Sequence, residues 1–411
     1  MKWVYKSGVW GYASLLKGIS PFNSKAAKWV KGRSNLTEQL SGVNTELKWI
    51  WFHVASLGEF EQAKPVMDRL IKENPSFSLL ITFFSPSGYE VRKDYENSEK
   101  VMYLPLESEG NVRQFLDVFQ PKLVVFVKYD FWFEYMSQVI NRNIPLVFIS
   151  ATFRKDQIFF RRVGSWFLNQ LSPVDRFFVQ DENSLELLKE FGITQAEMSG
   201  DTRFDRVEAT FRESEMFPLM EEFTANSRTL IFGSAWDTEM NFAIDFINNL
   251  PKGWKVILAP HEINVEKIDS FRSKINATSV LFSEASASEL RETPVMVLNT
   301  IGHLARAYKY ASVAVVGGGF TDGIHNILEP LAFGVPVAFG PMHDKFWEGK
   351  AAIENNVGFE INNLHQFNLF ISQFTQSENN LKLVTFEARK FIKERLGATD
   401  MIVNYLNIKL K

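Results

Sequence analysis

Short apolar runs alternate with amphipathic segments along almost the whole chain. Leu47–Val54, Ser78–Phe83, Val101–Leu104, Leu123–Val127, Leu146–Ile149 and Arg176–Val179 are brief, nearly continuous in apolar residues, and rich in β-branched and aromatic side chains. That pattern predicts strands covered on both faces. Helical spacing separates them at Glu59–Lys72, Val112–Phe119 and Gln157–Leu171. Strand and helix in alternation build βαβ units and a parallel sheet. The pattern weakens between Ser199 and Ser227 and then restarts, with strands at Thr229–Gly233, Lys255–Ala259, Val295–Leu298, Ser312–Val316 and Pro336–Phe339. Helices are predicted at Thr238–Asn249, Thr300–Tyr308 and Ile327–Phe333, and helix-rich segments close the chain at Leu364–Thr375, Asn380–Leu396 and Thr399–Lys409. The expected fold class is α/β, with two doubly wound, Rossmann-like domains. Residues 36–205 form the first, 206–227 a linker, and 228–411 the second, with its C-terminal helices free to cross back. Ligands of open α/β sheets sit beyond the carboxyl ends of the strands, so two such domains predict a cleft with one substrate on each side.

Residues 1–35 break the alternation. Seven Lys and Arg residues fall there, with no acid before Glu38, interleaved with Trp3, Tyr5, Trp10, Tyr12, Phe22 and Trp29. No apolar run approaches the roughly 20 residues of a membrane span, and no compact apolar core of a signal peptide is present. Basic residues mixed with aromatics suit a helix lying in an anionic membrane interface; packing on the protein's own surface is the alternative.

Composition narrows the chemistry. The 411 residues exceed one compact core, which agrees with two domains. A net charge of −3 argues against a general nucleic-acid binder. The chain has no cysteine, which excludes disulfides, thiolate metal sites and cysteine nucleophiles. Its six histidines are scattered without HExxH-type spacing, so a zinc enzyme is not expected and no cofactor is assigned.

The candidate chemistry lies at predicted strand ends. The run Ser312–Val316 stops at Gly317, Gly318 and Gly319. Gly323-Ile324-His325-Asn326 follows, then the helix Ile327–Phe333. Glycines admit a ligand close to the backbone and a helix start offers unpaired N–H groups, so a phosphate is expected there, with Glu329 on the ribose; a tight turn with no ligand is the alternative. After the first strand, Ser56-Leu57-Gly58-Glu59 opens a helix. The dipole is expected to keep Glu59 ionised and able to take a proton from a hydroxyl, with Gly58 leaving room beside it; a cap shared with Ser56 is the competing reading. In the second domain Ser234 and His261 follow strands and are candidate phosphate contacts, against a helix cap and a loop residue. Arg203, oriented by Asp205, and Arg154, in a basic cluster with Lys155, Arg161 and Arg162, are candidates for an anionic group. Asp130 follows the fourth strand, within Tyr129-Asp130-Phe131-Trp132.

Taken together, HVASLGE, GDTRFD, GSAWDTE, LAPHE and GGGFTDGIHNILEPLAFGVPV resemble, in order and spacing, the 3-deoxy-D-manno-octulosonic acid (Kdo) transferases of lipopolysaccharide synthesis. HNILEP is similar to that family's HNPLEP signature. The resemblance implies a metal-independent, inverting GT-B glycosyltransferase that uses CMP-Kdo as donor and a lipid A precursor, lipid IVA, as acceptor at the cytoplasmic face of the inner membrane. It implies Glu59 as general base, with Asn326 and Glu329 on the donor nucleotide above the Gly317–Gly319 loop. Arg203 falls where the family has a basic residue. The chain departs at Pro260-His261-Glu262, where the family has Pro-Arg-His, and at Asp130-Phe131-Trp132-Phe133, where it has Glu-Leu-Trp-Pro. A UDP-sugar transferase or nucleotide-sugar epimerase, and a non-catalytic membrane-docked binding protein, are the alternatives.

Overall fold

The computed structural model describes residues 1–411. They form two compact units, the first made of Met1–Asp205 with Leu396–Lys411 and the second of Arg206–Arg395. Each is built on a seven-stranded sheet.

The first sheet contains β1 (Lys48–Val54), β2 (Phe77–Phe83), β3 (Lys100–Tyr103), β4 (Leu123–Val127), β5 (Leu146–Ala151), β6 (Arg176–Val179) and β7 (Ala196–Met198), in the order β3-β2-β1-β4-β5-β6-β7. Every pairing is parallel. Side chains alternate across a strand, and β1 shows it. Trp49 and Trp51 join one buried cluster, with Phe115 and Tyr135, while Ile50, Phe52 and Val54 join the other. The continuous apolar runs of the sequence are therefore strands with a core on each face. Because β1 lies between β2 and β4, strand order reverses at β1/β4, and the loops after these two strands flank the topological switch point.

The second sheet repeats this plan. It contains β8 (Arg228–Ala235), β9 (Trp254–Pro260), β10 (Ser279–Leu281), β11 (Val295–Val297), β12 (Val313–Val316), β13 (Val337–Phe339) and β14 (Gly358–Glu360), in the order β10-β11-β9-β8-β12-β13-β14. All pairs are again parallel, with the switch point at β8/β12.

Several boundaries differ from the pattern reading. Residues 206–227, expected as a linker, carry most of the helix Thr202–Glu213 and all of Pro218–Thr224. Met220 and Phe223 are fully buried, and Glu208 pairs with Arg389 at 2.9 Å, so this stretch is folded into the second unit. The second unit ends at Arg395. The last helix, Ala398–Lys409, places Ile402, Val403 and Leu406 in the core of the first unit, and Asp205 accepts the N–H groups of Gly397 and Thr399, each at 2.7 Å. The expected helix Gln157–Leu171 is split into a turn at Ile158–Phe160 and a helix at Ser165–Leu171. Gly164 comes so close to the Ile158 carbonyl that a Cβ there would lie 1.7 Å from its oxygen.

The helix Lys2–Ile19 both packs and exposes. Tyr5 donates its hydroxyl to the buried carboxylate of Glu107 and meets Phe133 edge-on at 5.0 Å, while Lys6 pairs with Glu134 at 3.2 Å. Trp3, Val4, Trp10, Leu15 and, just beyond the helix, Phe22 stay exposed, Trp3 at 84% and Phe22 at 92%. No helix of the chain is long and apolar enough to cross a membrane. Arg33 ties the next turn to the first sheet: its guanidinium donates to the carbonyls of Leu104, Trp29 and Phe84 at 2.8–3.3 Å and lies 4.1 Å from the Trp29 ring centre.

Candidate functional site

In the first unit the helix Leu57–Glu73 starts at Ser56, directly after β1, and Glu59 falls in its first turn. The Glu59 side chain turns inward and is only 6% exposed, and its carboxylate accepts the Ala55 N–H. Burial, then the charge of Asp130, push its pKa up to about 7; the N–H groups of Ala55 and Ser56 and the charge of Lys128 oppose the rise. This corrects the expectation that the helix dipole keeps Glu59 ionised. A surface-strength dipole contributes about 1 kcal/mol or less, and the loss of water outweighs it. The Ser56 hydroxyl caps nothing, so the reciprocal cap does not form. A Cβ on Gly58 would meet only the Ser56 Oγ, at 4.0 Å.

Asp130 comes from the loop after β4, across the switch point, and is tied to β1 and β2. Its Oδ2 lies 2.5 Å from His53 Nε2 and accepts the Trp132 indole N–H at 2.9 Å. His53 occupies the Trp51 face of β1 and is fully buried; its Nδ1 lies 2.8 Å from the Thr82 hydroxyl, which also accepts the Trp51 indole N–H at 2.8 Å. The Trp132 indole N–H also points at His53 Nε2, at 3.1 Å, so His53 and Asp130 share that donor. Trp51, Thr82 and His53 form a buried chain that ends on the neighbour of Glu59. The sequence reading did not select His53; a polar residue inside the run WIWFHVA was the available signal.

The two arginine candidates stand apart from this arrangement. Arg203 is held by Asp201, at 2.7 and 2.9 Å, and not by Asp205, whose oxygens cap the C-terminal helix. Arg154 is exposed beside Asp156 at 3.5 Å, and Lys155, Arg161 and Arg162 are solvated with it.

In the second unit the loops after β8 and β12 meet. The three glycines serve close packing. A Cβ on Gly317 would lie 2.1 Å from the Ser234 carbonyl oxygen, and one on Gly319 would lie 2.5 Å from the Gly340 nitrogen. The Gly317 N–H goes to the Gly233 carbonyl at 2.9 Å and the Gly318 N–H to the Glu239 carboxylate at 3.1 Å. The expected phosphate cradle of loop N–H groups is thus largely spent within the protein. The helix that follows is shorter than predicted, Leu328–Ala332. Asn326 accepts the Leu328 N–H at 3.1 Å and donates to Glu329 at 3.0 Å, so these two residues are locked together at its start. Ser234 adopts a left-handed backbone, φ +50°, where the β8–β9 register shifts, and its hydroxyl provides no helix cap; the following helix starts after Trp236. His261 is exposed, its ring stacked 4.2 Å from Trp236 and 4.7 Å from His325. Neither Trp236 nor His325 was a sequence candidate, although both lie inside the quoted motifs.

Two parallel seven-stranded sheets of this order, each with its own switch point, make the GT-B fold. The solved structures of a UDP-GlcNAc 2-epimerase from Neisseria meningitidis (TM-score 0.62, 14% identity, 87% of this chain and 99% of that one) and of the calicheamicin glycosyltransferase CalG4 (TM-score 0.54, 11% identity, 89% and 98%) share the fold. Residues 28–206 match the family described as 3-deoxy-D-manno-octulosonic-acid transferase (kdotransferase). Kdo transferases of Chlamydophila psittaci (27% identical, 71% of this chain and 69% of the relative) and Aquifex aeolicus (27%, 76% and 82%) are similar to it. The chain is thus similar to Kdo transferases over most of its length, and residues 28–206, under half of it, carry the domain of that glycosyltransferase family.

Proposed function

We propose that this protein transfers Kdo from CMP-Kdo to a lipid A precursor, lipid IVA, with inversion, and that Glu59 is the general base. The observation that carries the reading is Glu59 itself: a carboxylate at the β1/β4 switch point whose pKa is pushed up to about 7, close to neutrality, as a general base needs, next to a glycine with open space above it. In the step, a sugar hydroxyl of the acceptor attacks the anomeric carbon of Kdo. Its proton passes to Glu59, the bond from that carbon to the phosphate oxygen breaks, and CMP leaves with the electron pair. The second unit takes the donor, with Ser234, His261, Asn326 and Glu329 beside it.

A lipid acceptor is supported by an open groove of about 630 Å³ in the first unit. It is lined by Tyr12, Trp29, Phe84, Trp132, Ile158 and Phe159 and reaches Asp130. The groove joins the helix Lys2–Ile19, whose exposed Trp3, Val4, Trp10 and Leu15 fit a peripheral position on the inner membrane, on its cytoplasmic side.

Incubation with CMP-Kdo and lipid IVA, with the products weighed by mass spectrometry, tests the reading directly. Mass gain by whole Kdo residues with matching CMP release is expected. Thermal stabilisation by UDP and none by CMP would refute the donor. For the membrane face, replacing Trp3, Trp10 and Phe22 by Ser is expected to weaken flotation with anionic vesicles at least several-fold; unchanged flotation would remove this surface from the proposal.

A further inference from the structure

The His325 ring is fixed on three sides, by Trp236, His261 and Gly318. The Trp236 indole N–H points at its Nε2 at 3.1 Å, the His261 ring stacks on its face at 4.7 Å, and Gly318, at φ +91°, leaves its Cδ2 edge so little room that a Cβ there would lie 2.9 Å away. An indole nitrogen only donates, so the 3.1 Å contact requires a bare Nε2. A protonated imidazole would set two N–H groups against each other. The neutral ring therefore carries its proton on Nδ1, and Nδ1 makes no hydrogen bond to the protein. We propose that Trp236 is a positioning residue that locks His325 as the neutral Nδ1–H tautomer, and that this N–H binds an anionic oxygen of the nucleotide-sugar donor. The proposal rests on the donor reading of the second unit and extends it to two residues and one proton.

The electrostatics agree with the geometry. Burial first, and the neighbouring His261 second, lower the His325 pKa. The indole adds to this, because its hydrogen bond exists only with the neutral ring. The titratable group facing His325 is His261, from the loop after β9. The carboxylate of Glu239, on the helix after Trp236, is engaged by the N–H groups of Trp236 and Gly318. A donor N–H without a charge keeps the grip on the anion constant as pH changes, in place of a cation that fades above neutrality.

Long-range ¹H–¹⁵N correlation of the imidazoles in the full chain reads the tautomer without any ligand. A protonated Nδ1 and a bare Nε2 are expected at pH 8, and a protonated Nε2 overturns the proposal. Trp236→Phe keeps a ring to stack on His261 and removes the N–H. The His325 pKa is then expected to rise by about one unit, and an unchanged value overturns the role of Trp236. Calorimetry with CMP, cytidine and free Kdo locates the anionic oxygen. Asn places an amide N–H near Nδ1 and Gln places one near Nε2, so His325→Asn is expected to hold CMP within about threefold of wild type while His325→Gln loses about tenfold. Equal losses for the two overturn the Nδ1 assignment. A loss seen with Kdo and not with CMP moves the contact from the phosphate to the carboxylate and supports the proposal; a loss as large with cytidine overturns it. Absence of any CMP binding by the wild type, with the Nδ1–H tautomer present, refutes the donor reading and with it the anion contact, while the tautomer lock stands on its own readout.

Discussion

In both sheets a strand beside the switch point runs into a helix that carries a glutamate in its first turn, Glu59 after β1 and Glu239 after β8. Both are buried, and both have a pKa raised chiefly by that burial. Their neighbours differ. Glu239 accepts the Trp236 N–H at 3.0 Å with one oxygen and the Gly318 N–H at 3.1 Å with the other, so it clips the loop after β12 to the loop after β8. Glu59 faces a charge, Asp130, across its switch point, and open space lies over Gly58. Position in the fold makes a buried helix-start glutamate; what the opposite loop offers makes Glu239 a clip and leaves Glu59 open to the proposed role of base.

The largest expected effect separates the two by activity. Glu59→Gln keeps size and hydrogen bonding but cannot accept the proton, so kcat is expected to fall about 10³-fold, roughly 4 kcal/mol of barrier. CMP affinity should stay within about twofold. Near-normal turnover by a folded Glu59→Gln protein would end the base assignment.

The same variant has a pH signature. Glu59 has a folded pKa of about 7 against an ordinary 4.5, so the folded state binds its proton more tightly than the unfolded chain does. The stability this adds is complete below pH 4.5 and is lost as pH rises to 7, at a cost of about 3 kcal/mol. Glutamine does not titrate. Denaturant melts should therefore show Glu59→Gln gaining on wild type between pH 4.5 and 8, with Glu107, whose pKa burial also raises to about 7, contributing equally to both. A constant gap across that range contradicts the buried, titrating Glu59.

The clip is tested by removing it. Glu239→Ala leaves the Trp236 and Gly318 N–H groups without their acceptor, which is expected to cost about 2 kcal/mol and to lower the melting temperature of the second unit by roughly 4–8 °C. Glu239→Ala with unaltered melting would mean that the two loops hold without it.

How far this contrast could be read from the chain follows from the range of each interaction. Strand positions were legible because a strand buried on both faces is a continuous apolar run, as in β1, β4 and β5. The three-residue strands β7, β10 and β14 were not: Ala196-Glu197-Met198 has no run to notice, and edge pairing alone defines it. Glu59 was legible as a helix-start acid after a strand, yet its charge state was misjudged, because the Asp130 neighbour lies 71 residues away in sequence and the burial belongs to the fold. The glycines at 317–319 were legible as a close approach. What they approach, Ser234 and Gly340, was not, and so a packing device read as a phosphate cradle. Arg203 shows the same limit at short range: Asp201 and Asp205 flank it equally in sequence, and only the turn of the following helix selects Asp201.

The smallest expected effect concerns Gly58, and it bears directly on whether the base faces a substrate. Glycine at the second residue of a helix is poorer than alanine by at most about 1 kcal/mol. Here neither a positive φ nor a packed neighbour requires it, whereas Gly317 and Gly319 are enforced by backbone within 2.1 and 2.5 Å. A residue that weakens a helix and fills no structural need is explained by what must pass over it. Gly58→Ala should therefore leave the melting temperature unchanged or slightly higher and raise the KM for the lipid acceptor about five- to tenfold, an apparent loss near 1 kcal/mol, with the KM for CMP-Kdo unaffected. Gly317→Ala should do the reverse, losing stability first. If Gly58→Ala leaves acceptor kinetics untouched, the acceptor approaches Glu59 from another side, and the groove beside Asp130 with Trp132 on its wall becomes the approach to test next.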